Sequence, residues 1–459
     1  MLRAATRPWT RQTSRQLLHS KSQQQTATRL RRLVGVSLQN GRQQDKLLRR
    51  LSALWERRPA AERGDFCRSL AAFGTSDDAV ARAADLIEGA RTLDAGAREA
   101  ALLDARAALK PAYEALAEGL AESAGGARLL LEIRVAALAL ARREPPVAAL
   151  EAHLRAVLAA RFAPCSLRLD RVSWTGTPPP VLERVVAAEA VHAIDDWPAL
   201  KQRLGRNRRV FTLSHAALGG EPLAVVEVAL GGEVAASIQG LLAEDTWAAS
   251  ETPAVSSAFA SGGGPPPDAE DPRCAIFYSI SATQPGLAGV DVGARLIRGA
   301  AATLAGEHRS LKRFVTLSPI PGFRRWLEAE APRDVVDAAA AAAAAAGDAA
   351  TTANGARVDD ALFRRLAPWC ARYVLDERRK RPHLAAAGAL DAVAHFHLGN
   401  GARFAGLSWR GDVSDAGLRR SFGLMAHYEY DLAALDARAQ AYADSGEPGV
   451  RAGARAALA

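Results

Sequence analysis

Ser318 lies in the run LSPIPGF at 317–323, just after the apolar residues Phe314, Val315 and Leu317. Pro319 and Pro321 restrict the backbone around it, so the hydroxyl leaves the strand in a fixed direction. A serine held this way either caps a turn or helix or is presented to a reacting group, and the spacing leaves both readings open. Downstream, His395 and His397 stand two residues apart in HFHLGNGA. On a strand both would face the same side. That suits a metal pair, although no third ligand stands nearby. Either imidazole equally suits general acid or base work near neutral pH.

Such side chains need elements to hold them. Residues 274–281 (CAIFYSIS) read as a buried strand. After TQPGLAGVDVGA, the apolar residues Val290, Ala294, Ile297, Ala301 and Leu304 recur at helical steps. Strand, glycine loop and helix then form one unit. Gly286, Gly289 and Gly293 permit close approach of the backbone, and free N–H groups at a helix start suit phosphate oxygens. Glycine in such a connection also serves turning alone. The unit resembles the acyl-CoA loop of GNAT-type N-acetyltransferase folds. It lacks GxGxxG followed by an acidic residue about twenty positions later, which disfavours a dinucleotide and leaves CoA as the better match.

The chain of 459 residues carries a formal charge of +9, which at first sight points to nucleic acid. Residues 1–44, however, hold nine basic residues and no acidic one. Without them, 50 basic residues face 50 acidic ones, so the remainder is neutral and a basic nucleic-acid-binding body is disfavoured. The first 44 residues, rich in Arg, Ser, Thr and Gln with scattered Leu and Trp, read as a mitochondrial or plastid targeting peptide, with a solvated basic tail as the plain alternative. They lack the apolar run of a secretory signal. Ala457, Leu458 and Ala459 do not form a Ser-Lys-Leu peroxisomal address. No run of about 18 strongly apolar, uncharged residues predicts a membrane span. Cys67, Cys165, Cys274 and Cys370 are far apart and show no zinc spacing, so a reducing compartment and no metal are expected.

Residues 45–165 are rich in Ala, Leu, Arg and Glu with helical apolar spacing, as in Leu47, Leu48, Leu51 and Leu54, and are expected to form a helical bundle suited to self-association. Beyond Pro164, residues 210–213 and 223–230 read as strands, with Gly219-Gly220 before the second and Gly231-Gly232 after it. Residues 166–459 are assigned to a second domain. Low-complexity insertions are expected near 251–273, with its Gly and Pro run, and near 338–356, with its Ala tract.

Taken together, the ordered motifs resemble the malonyl-CoA decarboxylase family. They are FYSIS at 277–281, TQPGLAGVDVG at 283–293, LSPIPGF at 317–323, FHLGNGA at 396–402, DVS at 412–414 and GLMAHYEY at 423–430; EAVH at 189–192, SH at 214–215 and GEPL at 220–223 also match. The resemblance spans about 171–430. It implies an α+β two-domain protein, an N-terminal all-α bundle followed by an α/β acetyltransferase-like catalytic domain of GNAT type. It implies conversion of malonyl-CoA to acetyl-CoA and carbon dioxide, with no metal or organic cofactor, by a homo-oligomer, since the family forms tetramers. The catalytic residues would be Ser318 and His397, the latter chosen over His395 by the FHL-x-NGA register. The malonyl-CoA loop would comprise Ala288, Gly289, Val290, Asp291, Val292, Gly293 and Ala294, with Asp291 in place of the usual Glu. Tyr278, Asn400, Tyr428 and Tyr430 are weaker candidates for lining the pocket, each with a packing explanation beside it. With that leader, the mitochondrial matrix is the expected site, with plastid or cytoplasm as alternatives. The rival functions are an acyl-CoA-dependent acyltransferase on the same fold and a non-catalytic acyl-CoA-binding scaffold.

Overall fold

Helix formers dominate the first third of the chain, and they fold accordingly. In the computed structural model, which describes residues 28–30, 44–189, 191–244, 246, 271–345, 353–379 and 388–455, seven described α-helices from Gln44 onward precede the first described strand. They are α1 (Gln44–Glu56), α2 (Arg63–Ala71), α3 (Asp77–Ala90), α4 (Ala95–Ala108), α5 (Ala112–Glu122), α6 (Gly126–Ala141) and α7 (Pro145–Arg161). Local chemistry sets their ends. Ser76 accepts from Ala79 N–H to cap α3, and Asp94 accepts from Ala97 N–H to cap α4. Pro145 and Pro146 sit in the first turn of α7, where a missing N–H costs nothing, so they open that helix. Trp55, Phe66, Leu120, Leu130, Ile133, Leu150 and Leu158 are buried along these helices.

The chain divides into two compact units. The first holds the helices up to Leu167 and takes in two short excursions, His215–Glu221 and Gln284–Asp291; the second holds Arg168–Ser214, Pro222–Thr283 and Val292–Ala459. The leader proposed for 1–44 lies outside the described residues except at 28–30 and 44.

In the second unit the elements are β1 (Arg168–Val172), α8 (Pro179–Ala188), α9 (Trp197–Arg203), β2 (Arg208–Ser214), β3 (Pro222–Gly231), α10 (Ile238–Ala243), β4 (Cys274–Ala282), α11 (Gly293–Glu307), β5 (Arg313–Thr316), β6 (Ser318–Pro319), α12 (Phe323–Glu330), α13 (Arg333–Ala345), α14 (Ala353–Leu375), α15 (Ala392–Gly399), β7 (Arg403–Ser408), α16 (Asp415–Ser421), β8 (Met425–Glu429) and α17 (Leu435–Ser445). The described strands form one sheet in the order β1-β2-β3-β4-β5-β8-β6, with β7 also on β8. The alanine tract continues α13 as far as Ala345, and the expected insertion at 251–273 lies outside the described residues save its last three positions.

Two details of the sheet prepare the site. Every pairing between the described strands is antiparallel except β4 with β5, which are parallel and joined through α11, as a crossover connection requires. That pairing ends at Phe277↔Thr316, followed by one bond from Leu317 N–H to Phe277 O at 2.9 Å. Past this point the chain leaves β4 and pairs with β8 instead, at Ser318↔Ala426. Just beyond the last rung, β4 carries a bulge: its register with β3 passes from Val228↔Phe277 to Glu227↔Ser279, leaving Tyr278 as the extra residue. Ile276, Tyr278, Val315, Leu317 and Met425 pack together in a core cluster beneath this region.

Candidate active site

The β pleat places Thr316 and Ser318 on the same side of their strand, two residues apart. Ser318 Oγ donates to Thr316 Oγ1 at 2.9 Å, and Thr316 Oγ1 accepts from Tyr428 N–H at 3.1 Å, which ties the serine to β8. Across from it stands His397. The HFH run forms the helix α15 and not the strand its spacing suggested. Asp391 caps that helix by accepting from Val393 and Ala394 N–H, both at 2.9 Å. On a helix, residues two apart point to different sides, so the two histidines part. His395 Nδ1 meets Tyr442 OH at 3.0 Å, while His397 Nε2 lies 3.0 Å from Ser318 Oγ.

His397 Nδ1 lies 2.8 Å from Tyr430 OH. Its ring stacks on Tyr428 with centroids 4.6 Å apart and an interplanar angle of 22°. Tyr428 and Tyr430 alternate on one face of the chain around the end of β8, and Tyr430 N–H donates to Phe314 O at 2.8 Å, which holds the phenol in place. Ser318, His397, Tyr428 and Tyr430 are all buried. Burial pushes the His397 pKa down to about 3, so the ring is neutral near pH 7, with one nitrogen donating and the other accepting. A neutral imidazole between two hydroxyls is able to pass a proton from one side to the other.

Tyr278 belongs to a different group. The Arg203 guanidinium lies over its ring at 5.6 Å and stands 3.4 Å from the Glu227 carboxylate, whose pKa burial pushes up to about 7. Beside them, Ser279 Oγ donates to Glu189 Oε2 at 2.6 Å, and Glu189 Oε1 accepts from Val191 and His192 N–H, each at 2.8 Å. This pair escaped the reading of the sequence, since its members stand ninety positions apart. Thr316 was missed as well, although its place two residues before Ser318 on a strand is a usable signal.

Asn400 closes the C-terminus of α15. Its carbonyl accepts from Arg298 Nη2 at 3.2 Å, while its buried Nδ2 has no partner among the described residues. In the glycine loop, Gly289 has a φ of +73°, which favours glycine. Val292 precedes α11 and offers no side-chain cap, so the first N–H groups of that helix, from Gly293 onward, are not covered by a side chain. A Cβ at Gly293 would stand 2.9 Å from the Phe396 ring, next to His397 in sequence, so glycine there lets α11 approach α15.

Residues 165–458 match the family model of the malonyl-CoA decarboxylase C-terminal domain. The chain is 33% identical over 407 residues to the mitochondrial malonyl-CoA decarboxylase of Mus musculus, covering 81% of this chain and 77% of that one. It is 32% identical over 359 residues to that of Anser anser anser, covering 73% and 67%. The crystal structure of malonyl-CoA decarboxylase from Agrobacterium vitis superposes with a TM-score of 0.74 at 29% identity, covering 95% of this chain and all (100%) of that one. The enzyme from Rhodopseudomonas palustris gives 0.69 at 32% identity, covering 96% and 97%. With a family model spanning well over half its length and relatives this similar, the chain belongs to the malonyl-CoA decarboxylase family.

Proposed function

We propose that this protein decarboxylates malonyl-CoA, releasing acetyl-CoA and carbon dioxide, and that Ser318 and His397 carry the chemistry. The observation that supports it best is the buried line of hydrogen bonds from Tyr430 through His397 and Ser318 to Thr316. Decarboxylation breaks the bond between the α-carbon and the carboxylate. The electron pair passes to the thioester as an enolate, and the α-carbon then takes up one proton. No electron-sink cofactor is needed, since the thioester carbonyl accepts the pair. What the reaction needs is donors at the enolate oxygen and a proton source at the carbon.

The hydrogen-bond line supplies that source. With Ser318 donating to Thr316, Ser318 Oγ accepts from His397 Nε2–H, and Nδ1 accepts from Tyr430 O–H. His397 passes its Nε2 proton to the α-carbon while the Tyr430 proton moves to Nδ1; a proton from water, the one the net reaction consumes, is then taken up at Nε2 and Nδ1 returns its own to Tyr430. When substrate binds, the Ser318 O–H turns from Thr316 to the malonyl carboxylate, which accepts it and is oriented before the bond breaks. Asn400 Nδ2, a buried donor without a partner, and the Tyr428 hydroxyl are the donors we assign to the thioester end; an unmet buried donor is costly unless a ligand satisfies it.

The catalytic domain is proposed to be of GNAT type. In support, its one parallel strand pair among the described strands, β4 and β5, separates after Phe277↔Thr316, leaving one edge of β4 without a strand partner beyond that point. The pantetheine arm would lie in this opening, with the CoA phosphates at Ala288–Ala294, so that remote binding energy positions the small acyl end. Asp291 stands where this loop would meet phosphate, and its charge is the feature least suited to that role.

Residues 1–44 are proposed to direct the protein to the mitochondrial matrix. Their acid-free composition and the mitochondrial relatives support that destination. We further infer that the helical unit mediates self-association, because the α3–α4 hairpin buries only Ala79, Ala83, Ala90 and Ala105 while Val80, Ile87, Leu102 and Leu103 stay exposed.

One assay separates the readings. The full chain is incubated with malonyl-CoA, with and without amine acceptors, and acetyl-CoA and carbon dioxide are followed. Both products in a 1:1 ratio are expected. Acylated amine without carbon dioxide would establish an acyltransferase, and binding without turnover would leave a scaffold.

A further inference from the structure

Arg134 on α6 is an almost fully buried arginine, 1% exposed, far in sequence from Ser318 and His397. Its guanidinium binds three groups. It donates to Gly286 O, it donates to Ala288 O at 2.6 Å, and it meets Glu151 of α7 through Nε at 3.0 Å and Nη2 at 2.7 Å. All of these residues belong to the first compact unit, as does the loop Gln284–Asp291. The loop is pressed close here, since a Cβ at Gly286 would stand 2.5 Å from Leu131 O.

Two consequences follow. In a trans peptide the C=O and the next N–H point in opposite directions. With the Ala288 carbonyl turned to Arg134, the Gly289 N–H is turned away from α6, and among the described residues it has no acceptor. Second, Glu151 stands one helical turn before Arg155 on α7, the usual place for an ion-pair partner. Because Arg134 takes that carboxylate, Arg155 is left without an acidic partner among the described residues. Its Cδ lies 3.8 Å from where a Cβ at Gly289 would be. An exposed arginine without an acidic partner thus runs beside an exposed loop glycine with an open N–H, a combination suited to a phosphate oxygen.

We propose that Arg155 of α7 binds a phosphate of the CoA moiety at Gly289, and that Arg134 is a positioning residue that holds the loop carbonyls inward and the Gly289 N–H outward. This rests on the reading of the substrate as a CoA thioester. Both the diphosphate and the 3′-phosphate of CoA offer this chemistry, and the substrates below distinguish them.

Steady-state kinetics of the full chain would compare malonyl-CoA, malonyl-dephospho-CoA and malonyl-pantetheine, the last of which has no phosphate of the nucleotide moiety. Arg155→Gln is expected to raise KM for malonyl-CoA about tenfold, leave kcat within about twofold, and leave kcat/KM for malonyl-pantetheine unchanged. Arg134→Lys keeps a cation beside Glu151 but lacks the planar fork that reaches both carbonyls. It is expected to reduce selectively the preference for malonyl-CoA over malonyl-pantetheine. A deficit in Arg155→Gln that persists with malonyl-dephospho-CoA assigns the contact to the diphosphate, and one that vanishes assigns it to the 3′-phosphate. If the wild-type chain turns over malonyl-pantetheine as well as malonyl-CoA, the phosphate-loop reading itself fails. If the wild type discriminates and both variants keep that discrimination, or lose turnover equally with all three substrates, the roles of Arg155 and Arg134 are refuted while the loop reading stands.

Discussion

The Tyr430 hydroxyl stands 2.8 Å from His397 Nδ1, on the ring nitrogen that Ser318 does not use. Among the described residues no carboxylate bonds to the imidazole, so the phenol is the group that sets which nitrogen carries the proton. Tyr430→Phe removes that control but keeps the ring against its neighbours. It is expected to lower kcat by about 10- to 100-fold with little change in KM, less than the 10²- to 10⁴-fold loss expected for His397→Ala or Ser318→Ala. Turnover of Tyr430→Phe within twofold of wild type would remove the phenol from the proton path.

Burial pushes the His397 pKa down to about 3, and this has a definite sign for pH dependence. In the unfolded chain the imidazole takes up a proton as pH falls below its ordinary value of about 6.5. In the native state it stays neutral until about pH 3. The unfolded state therefore binds more protons across that window, and stability is lost as pH falls through it, by on the order of 5 kcal/mol in total. Urea melts at pH 7.5 and 4.5 should show a larger acid loss for wild type than for His397→Asn. The same depression means that no inflection near pH 6.5 in kcat/KM should arise from free His397, and an imidazole signal titrating near 6.5 in wild type and absent from His397→Asn would contradict the buried neutral ring.

How far the sequence led differs from residue to residue. Ser318 and His397 were legible because each sits in a short run of distinctive residues, and the structure brings them to 3.0 Å. The element under His397 was not legible, because His at i and i+2 fits a strand as well as a helix, and the Asp391 cap that decides the matter was overlooked. The strands β2 and β3 are legible to within two residues of their ends, since both runs are mostly apolar and Gly-Gly pairs flank the second. Ser279 with Glu189, and Arg134 with Gly286, were hidden for a different reason. Each pair is joined by the tertiary fold alone, across 90 and 152 positions, and no local period records such a contact. Tyr278 shows the converse, for a motif tyrosine read as pocket lining packs over Arg203 beside Glu227.

Thr316 offers a sharper test of how the serine is held. Its hydroxyl is buried and bonded to both Ser318 Oγ and Tyr428 N–H. Thr316→Val keeps the shape and removes both bonds, leaving a buried N–H unmet at a cost of about 1–3 kcal/mol. We expect a lower Tm and a kcat reduced about tenfold, with Thr316→Ser restoring most of the turnover. Failure of serine to rescue would mean that the methyl group, and not the hydroxyl, is what the site requires.

The α3–α4 hairpin bears on assembly. Its seam is made of alanines, which bury little apolar area, whereas Leu103 is 63% exposed and Val80 50% exposed. A hairpin with so small a core gains by covering these side chains, and a second copy of the same chain is the partner we propose. Leu103→Glu combined with Val80→Glu puts charges on that surface without touching the alanine seam. Light scattering of the full chain is expected to show a multimer for wild type and a smaller species for the double variant, with helical content and turnover per chain retained. An unchanged mass in the variant would place the contact elsewhere, and a monomeric wild type would mean that these leucines and valines stay in water, at a cost the hairpin tolerates.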